Sequence, residues 1–177
     1  MNIKIDNKIV NFIESDFPML ISGAEKTGTS FFSISVLADL FNRGMKTLLF
    51  SAYPMAKEEF RKQINNDGEG SIIESGDEKN LLKLLKEDPD LLNRVVLIKN
   101  IDKYSPELFS AIKDLKLVIF SGDIDKCKFA DDLMKKYFVA KIFFSQSEKY
   151  PKEGLENLPK YSGKIIGDKY NGIINVD

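Results

Sequence analysis

Short apolar runs alternate with segments of helical period along nearly the whole chain. Val95-Val96-Leu97-Ile98 is the strongest run, apolar at every position and so without a face for solvent. Such a run reads as a strand covered on both sides, the environment of a central strand in a parallel sheet. Pro18 to Ser22, Thr47 to Ala52, Leu117 to Phe120 and Ile142 to Phe144 read alike, and Ile72 with Ile73 marks a shorter strand. Between them the period changes. Ile34, Leu37, Ala38 and Phe41 recur at helical spacing from Thr29 to Arg43, and Gly44 stands where a C-terminal cap belongs. Pro54 opens a helix carrying Phe60 and Ile64, stopped by Asn65-Asn66-Asp67-Gly68. Asp77 can cap a helix with Leu81, Leu82, Leu84 and Leu85 that ends before Pro89, and Ser105-Pro106 starts another. A further helix lies around Phe129 to Tyr137. Lys164 to Gly167 and Gly172 to Val176 flank the polar turn Asp168-Lys169-Tyr170-Asn171, which reads as an antiparallel hairpin. The pattern predicts an α/β fold: a mainly parallel, doubly wound sheet with helices on both faces and a C-terminal β-hairpin. With 177 residues and no repeat or linker, residues 1–177 are expected to form one domain.

Composition removes whole classes of chemistry. There is no histidine, which excludes histidine-based triads, general bases and metal ligands. The single cysteine, Cys127, excludes an intramolecular disulfide and a thiolate zinc cluster. Lysine plus arginine (26) nearly cancels aspartate plus glutamate (27), so a dedicated nucleic-acid binder is not indicated. Charges interrupt Met1 to Lys8 every few residues, and no apolar run approaches the roughly 20 residues that span a bilayer. The expectation is a cytoplasmic protein without a membrane partner.

The first buried run leads directly into Gly23-Ala24-Glu25-Lys26-Thr27-Gly28-Thr29-Ser30 and then into a helix. In a strand, glycine-bounded loop and helix, successive backbone N–H groups and the helix N-terminus form an anion-sized nest. Gly23 and Gly28 fall at the two glycine positions of a phosphate-binding loop, and Ser30 at its magnesium-binding hydroxyl. Thr29 stands where that motif carries a lysine for the β- and γ-phosphates, and it offers a hydroxyl without charge. Lys26 lies inside the loop and can bring a charge from another direction. The alternative is a strand-to-helix turn that needs glycine for backbone reasons and binds nothing.

This loop resembles the Walker A loop of RecA-like ATPases, which often carry glutamate at the third position, here Glu25. Gly44-Met45-Lys46-Thr47-Leu48-Leu49-Phe50-Ser51 is also similar to the RecA and KaiC-like group. The likeness runs from about Phe17 to the C-terminal hairpin and implies a P-loop NTPase domain of the RecA/KaiC-like, AAA+-related kind. Val95 to Lys103 is similar to the Walker B strand of those enzymes, which ends in a magnesium-holding aspartate, followed in AAA+ proteins by a catalytic glutamate. Lys99 and Asn100 occupy those places, with Asp102 beyond them, and a lysine there repels the cation. Lys99 could instead stand in for the lysine missing at Thr29. Where RecA and KaiC-like enzymes place a water-activating glutamate, this chain has Ser51-Ala52-Tyr53, and Glu58 and Glu59 follow only after a helix start. Ser121-Gly122-Asp123 resembles the AAA+ sensor position, with Asp123 near the γ-phosphate. Lys135 and Lys136 fall roughly where AAA+ proteins carry a trans-acting arginine finger, or form a solvated last helical turn.

Several altered features together imply a degenerate P-loop ATPase with no catalytic residue to name. Its nucleotide-binding residues would be Gly23 to Ser30, with Ser30 on any metal, and its ligand ATP with magnesium, or none. The resemblance implies a homo- or hetero-oligomer in which this chain is a nucleotide-binding, assembly or regulatory subunit, alongside an active ATPase. Two other readings stand beside it. One is an atypical working ATPase in which Lys26 or a neighbouring subunit supplies the charge, and Asp102 or Asp123 the remaining acid. The other is an α/β interaction module that binds no nucleotide. Phe31 and Phe32 are expected in the core.

Overall fold

The alternating pattern folds into β1 (Ile3–Ile5), β2 (Lys8–Ile9), β3 (Met19–Ser22), α1 (Thr29–Asn42), β4 (Thr47–Ser51), α2 (Met55–Gln63), β5 (Ser71–Ser75), α3 (Glu78–Glu87), β6 (Val95–Lys99), α4 (Pro106–Ile112), β7 (Val118–Gly122), α5 (Ala130–Lys135), β8 (Ala140–Phe143), β9 (Gly163–Gly167) and β10 (Asn171–Val176). The structure, a computed structural model, describes residues 2–65, 71–75, 78–148, 155 and 158–176. Asp77 and residues 66–68, expected as a helix cap and a helix stop, lie outside the described residues.

One sheet joins all ten strands in the order β2-β1-β10-β9-β8-β3-β7-β6-β4-β5. From β8 to β5 the neighbours are parallel; from β8 to β2 they are antiparallel. The sheet is therefore mixed, which corrects the expectation of a mainly parallel one. Two additions cause the difference. The C-terminal hairpin forms as expected and pairs through β9 with β8. The N-terminal segment then covers the other side of that hairpin, with Ile3 opposite Val176 and Ile5 opposite Ile174. Ile3 and Ile5 are buried on one side of the alternation Ile3-Lys4-Ile5, so this strand has the pattern of a half-covered sheet.

Side-chain alternation splits the core in two. Met19, Ile21, Leu49, Val95, Leu97 and Ile119 pack with α1 and α2 on one face. Leu20, Leu48, Phe50, Val96, Ile98, Val118 and Phe120 pack with α3, α4 and α5 on the other. Local chemistry sets the helix ends. At the end of α1, Gly44 adopts φ +87°, its N–H donates to the Phe41 carbonyl at 2.8 Å, and the Met45 N–H donates to that of Leu40 at 3.1 Å. This pair of bonds closes the last turn and needs a left-handed residue. At the start of α4, Ser105 Oγ accepts the Leu108 N–H at 3.3 Å and donates to Glu78 Oε2 at 2.6 Å, tying α4 to α3. Ser105→Ala is expected to lower stability by about 1 kcal/mol, read as a fall in the urea midpoint with unchanged slope. Among the described residues, no helix is long and apolar enough to cross a membrane.

Candidate functional site

The order of the central strands opens a crevice at their carboxyl ends. The chain leaves β3 for α1 and β4 for α2 on one face of the sheet, whereas it leaves β6 for α4 and β7 for α5 on the other. Neighbouring strands whose connections depart to opposite faces leave a gap between the loops, where open α/β sheets bind ligands. Register brings the strand ends level, with Ser22 opposite Gly122, Ser121 opposite Lys99, and Lys99 opposite Ser51. A cleft of about 870 Å³ lies there. Gly23, Ala24, Glu25, Lys26, Gly28, Thr29 and Ser30 line it from the loop, Lys99, Asn100 and Asp102 from the end of β6, and Asp123 from the end of β7. Of the loop residues Gly23 to Ser30, Thr27 alone does not line it.

Thr27 instead holds the loop shut. Its hydroxyl donates to the Ala24 carbonyl at 2.7 Å and lies 3.0 Å from the Thr29 hydroxyl. Thr29 is buried, whereas Ser30, one residue on, is exposed to the cleft. Gly28 at φ +104° and Lys26 at φ +66° bend the backbone into the first turn of α1. Ala24 N–H donates to Ser145 Oγ at 2.9 Å, and Gly23 N–H to the Gly122 carbonyl at 3.3 Å, which fastens the root of the loop to the strands beside it. From Glu25 to Phe31 the backbone N–H groups have no partner among the described residues. They are the free donors expected at the start of a helix.

Around this nest the charges are mixed. Asp102 is mostly buried and pairs with Lys103 at 3.2 Å. Asp123 caps the short turn after β7 by accepting the Asp125 N–H at 3.1 Å, and pairs with Lys126 at 3.3 Å. Lys126 also lies 3.8 Å from Glu25. Lys99 is different. It is 6% exposed, and its ammonium makes neither a hydrogen bond nor an ion pair with any described residue. Burial pushes its pKa below the ordinary lysine value, and the carboxylates of Glu59 and Asp102 oppose that only through space. Beside it, Asn100 adopts φ +67°, and its amide oxygen accepts the Ser51 hydroxyl at 3.0 Å. The donors at this strand end are thus an ammonium, an amide and a hydroxyl, a set that does not suit magnesium. Among the described residues, no group of three carboxylate or thiol side chains could hold a metal ion.

Several lining residues have no motif in the sequence. Glu59 reaches the cleft from inside α2, although β4 ends eight residues earlier in sequence, and Glu58 next to it faces solvent. Tyr161 arrives from just before β9; a Cβ on Gly28 would stand 3.4 Å from the Tyr161 Cα. Phe31 corrects an expectation: Phe32 is in the core, but Phe31 is 45% exposed and lines the cleft. Lys135 pairs with Asp132, and Lys136 donates to the Lys113 carbonyl, so neither faces the cleft. No family model matches the sequence, and no curated protein matches it.

Proposed function

We propose that this chain is a RecA-like P-loop domain that has lost hydrolysis and binds a nucleotide as a regulatory or assembly subunit. The observation that supports this reading is convergence. Three segments far apart in sequence, each resembling a P-loop ATPase motif, line one cleft: Gly23 to Ser30, Lys99 to Asp102, and Asp123. The six parallel strands, flanked by α1 and α2 on one side and α3 to α5 on the other, are the doubly wound core of that fold, and the antiparallel strands are an extension of it. Partnerless N–H groups at the start of α1 suit phosphate oxygens. At the mouth, Phe31, Tyr53, Met55 and Tyr161 are 45%, 47%, 75% and 58% exposed. This apolar collar offers contact area to a nucleobase or to a neighbouring subunit closing over it. Hydrolysis is absent from the reading because Lys99 and Asn100, an ammonium and an amide, end β6 where the resembled enzymes carry their acidic residues. The protein is read as cytoplasmic, working with protein partners and not with nucleic acid.

Calorimetric titration with ATP and with ADP, followed by an assay of phosphate release, tests this. Saturable binding of both nucleotides without phosphate release is the expected result. No heat with nucleotide in excess, together with an unchanged melting temperature, leaves an interaction module without a ligand. Phosphate release that disappears in both Lys26→Ala and Ser30→Ala establishes the atypical ATPase instead.

A further inference from the structure

We infer that this cleft takes its phosphate-bearing ligand as the free anion, without a divalent cation, with the Lys99 ammonium as countercharge. The inference rests on the reading of the cleft as a nucleotide site and narrows it to one ionic form of the ligand. Lys99 is the last residue of β6, lines the cleft, and is 94% removed from solvent by its 6% exposure. The little solvent that Lys99 keeps meets it in the cleft, and an ammonium so incompletely hydrated and without a hydrogen-bonding partner destabilises the chain that carries it. The nearby acids do not relieve it. Asp102 is engaged by Lys103 at 3.2 Å, and Glu59 acts on Lys99 only through space.

What the position lacks is an anion. The free backbone donors from Glu25 to Phe31 and the Lys99 ammonium border the same cleft, from β3 and from β6, with β7 between them. Ser51 occupies the amide oxygen of Asn100 at 3.0 Å, which leaves the amide nitrogen as a further donor. Every one of these groups favours negative charge. A dication brought in on the phosphates would face the ammonium in a poorly screened setting, and chelation would also lower the negative charge that the ammonium meets. Magnesium is thus expected to compete with the site for the ligand.

Calorimetry of the full chain with ADP and with pyrophosphate, each in EDTA and in excess magnesium, tests the inference. The expected result is binding in EDTA at least as tight as in magnesium, weakened about tenfold or more by Lys99→Met at unchanged circular dichroism. Binding that requires magnesium overturns the inference and leaves the nucleotide reading standing. Absence of binding under both conditions overturns both. The wild-type comparison decides the matter even where the variant does not fold. Binding in EDTA that a folded Lys99→Met leaves unchanged also overturns it, because the countercharge then lies elsewhere.

Discussion

Gly23→Ala is expected to destabilise the protein by about 3 kcal/mol and to abolish binding in the cleft. A Cβ at this buried position would stand 2.3 Å from Thr29 Oγ1 and 2.8 Å from both Phe144 Cβ and Thr27 Oγ1. None of these atoms is the far end of a flexible side chain. The two threonine hydroxyls are held 3.0 Å apart, and Thr27 is tied to the Ala24 carbonyl at 2.7 Å. Branching at Cβ restricts both side chains to few rotamers. The Phe144 ring lies 5.1 Å from that of Phe32 in the core, so that side cannot yield either. The loop must open, and its shape is what aims the free N–H groups into the cleft. Gly44→Ala is the control: no atom lies within 4 Å of its would-be Cβ, and φ +87° alone carries a cost of about 1 kcal/mol. Urea denaturation of both variants separates the effects. Equal losses would mean that close approach is not what requires glycine at position 23.

The parts of the fold that sequence reveals are those where one residue type has one physical explanation. Val95 to Ile98 has no polar face, and it forms a central strand covered on both sides. Gly44 ends α1, and Ser105-Pro106 starts α4, because each meets a backbone requirement that few residues satisfy. The N-terminal strands are harder to read. Ile3-Lys4-Ile5 is too short to carry a period, and it becomes a strand because β10 presents an open edge to it. That edge also explains why the sheet is mixed: the hairpin was legible, but not its attachment to β8 and β1.

In the site, the loop was legible from Gly23 and Gly28, whereas the residues that join it from outside any motif were not. Tyr161 lies more than a hundred residues from Gly28 in sequence, and only the return of the chain through β9 brings it there. Phe31 belongs to a helix most of whose residues are buried, but its own position faces the cleft mouth instead of the sheet. Lys99 shows the same limit in its sharpest form. A lysine ending an apolar run reads as solvated, and only the parallel neighbours β4 and β7 bury it.

Lys99→Met is accordingly expected to stabilise the unliganded protein by about 1–3 kcal/mol, since methionine matches the aliphatic stem and removes a buried charge. The sign carries a pH dependence. Burial lowers the pKa of Lys99 in the folded chain, while the unfolded chain keeps the proton to about 10.5. Between those two values the unfolded state binds more protons, so the Lys99 contribution makes stability rise with pH. Below that window the full penalty of the buried ammonium is present. The advantage of Lys99→Met is therefore expected to be largest near neutral pH and to shrink as pH rises toward 10.5, read from urea midpoints at several pH values. Lys103 and Lys169, whose pKa values are raised by Asp102 and by Tyr170 and Asp16, are common to both proteins and cancel in the difference. Ligand then narrows the gap. At 100 times its dissociation constant a ligand adds about 2.7 kcal/mol to a protein that binds it only when folded. Pyrophosphate in EDTA should raise the melting temperature of the wild type more than that of Lys99→Met, because a site weakened tenfold gains about 1.4 kcal/mol less on saturation. A methionine variant that is less stable at neutral pH without ligand would show instead that Glu59 and Asp102 satisfy the charge from a distance. Lys99 would then be a residue of the fold, and the cleft would lose its strongest reason to attract an anion.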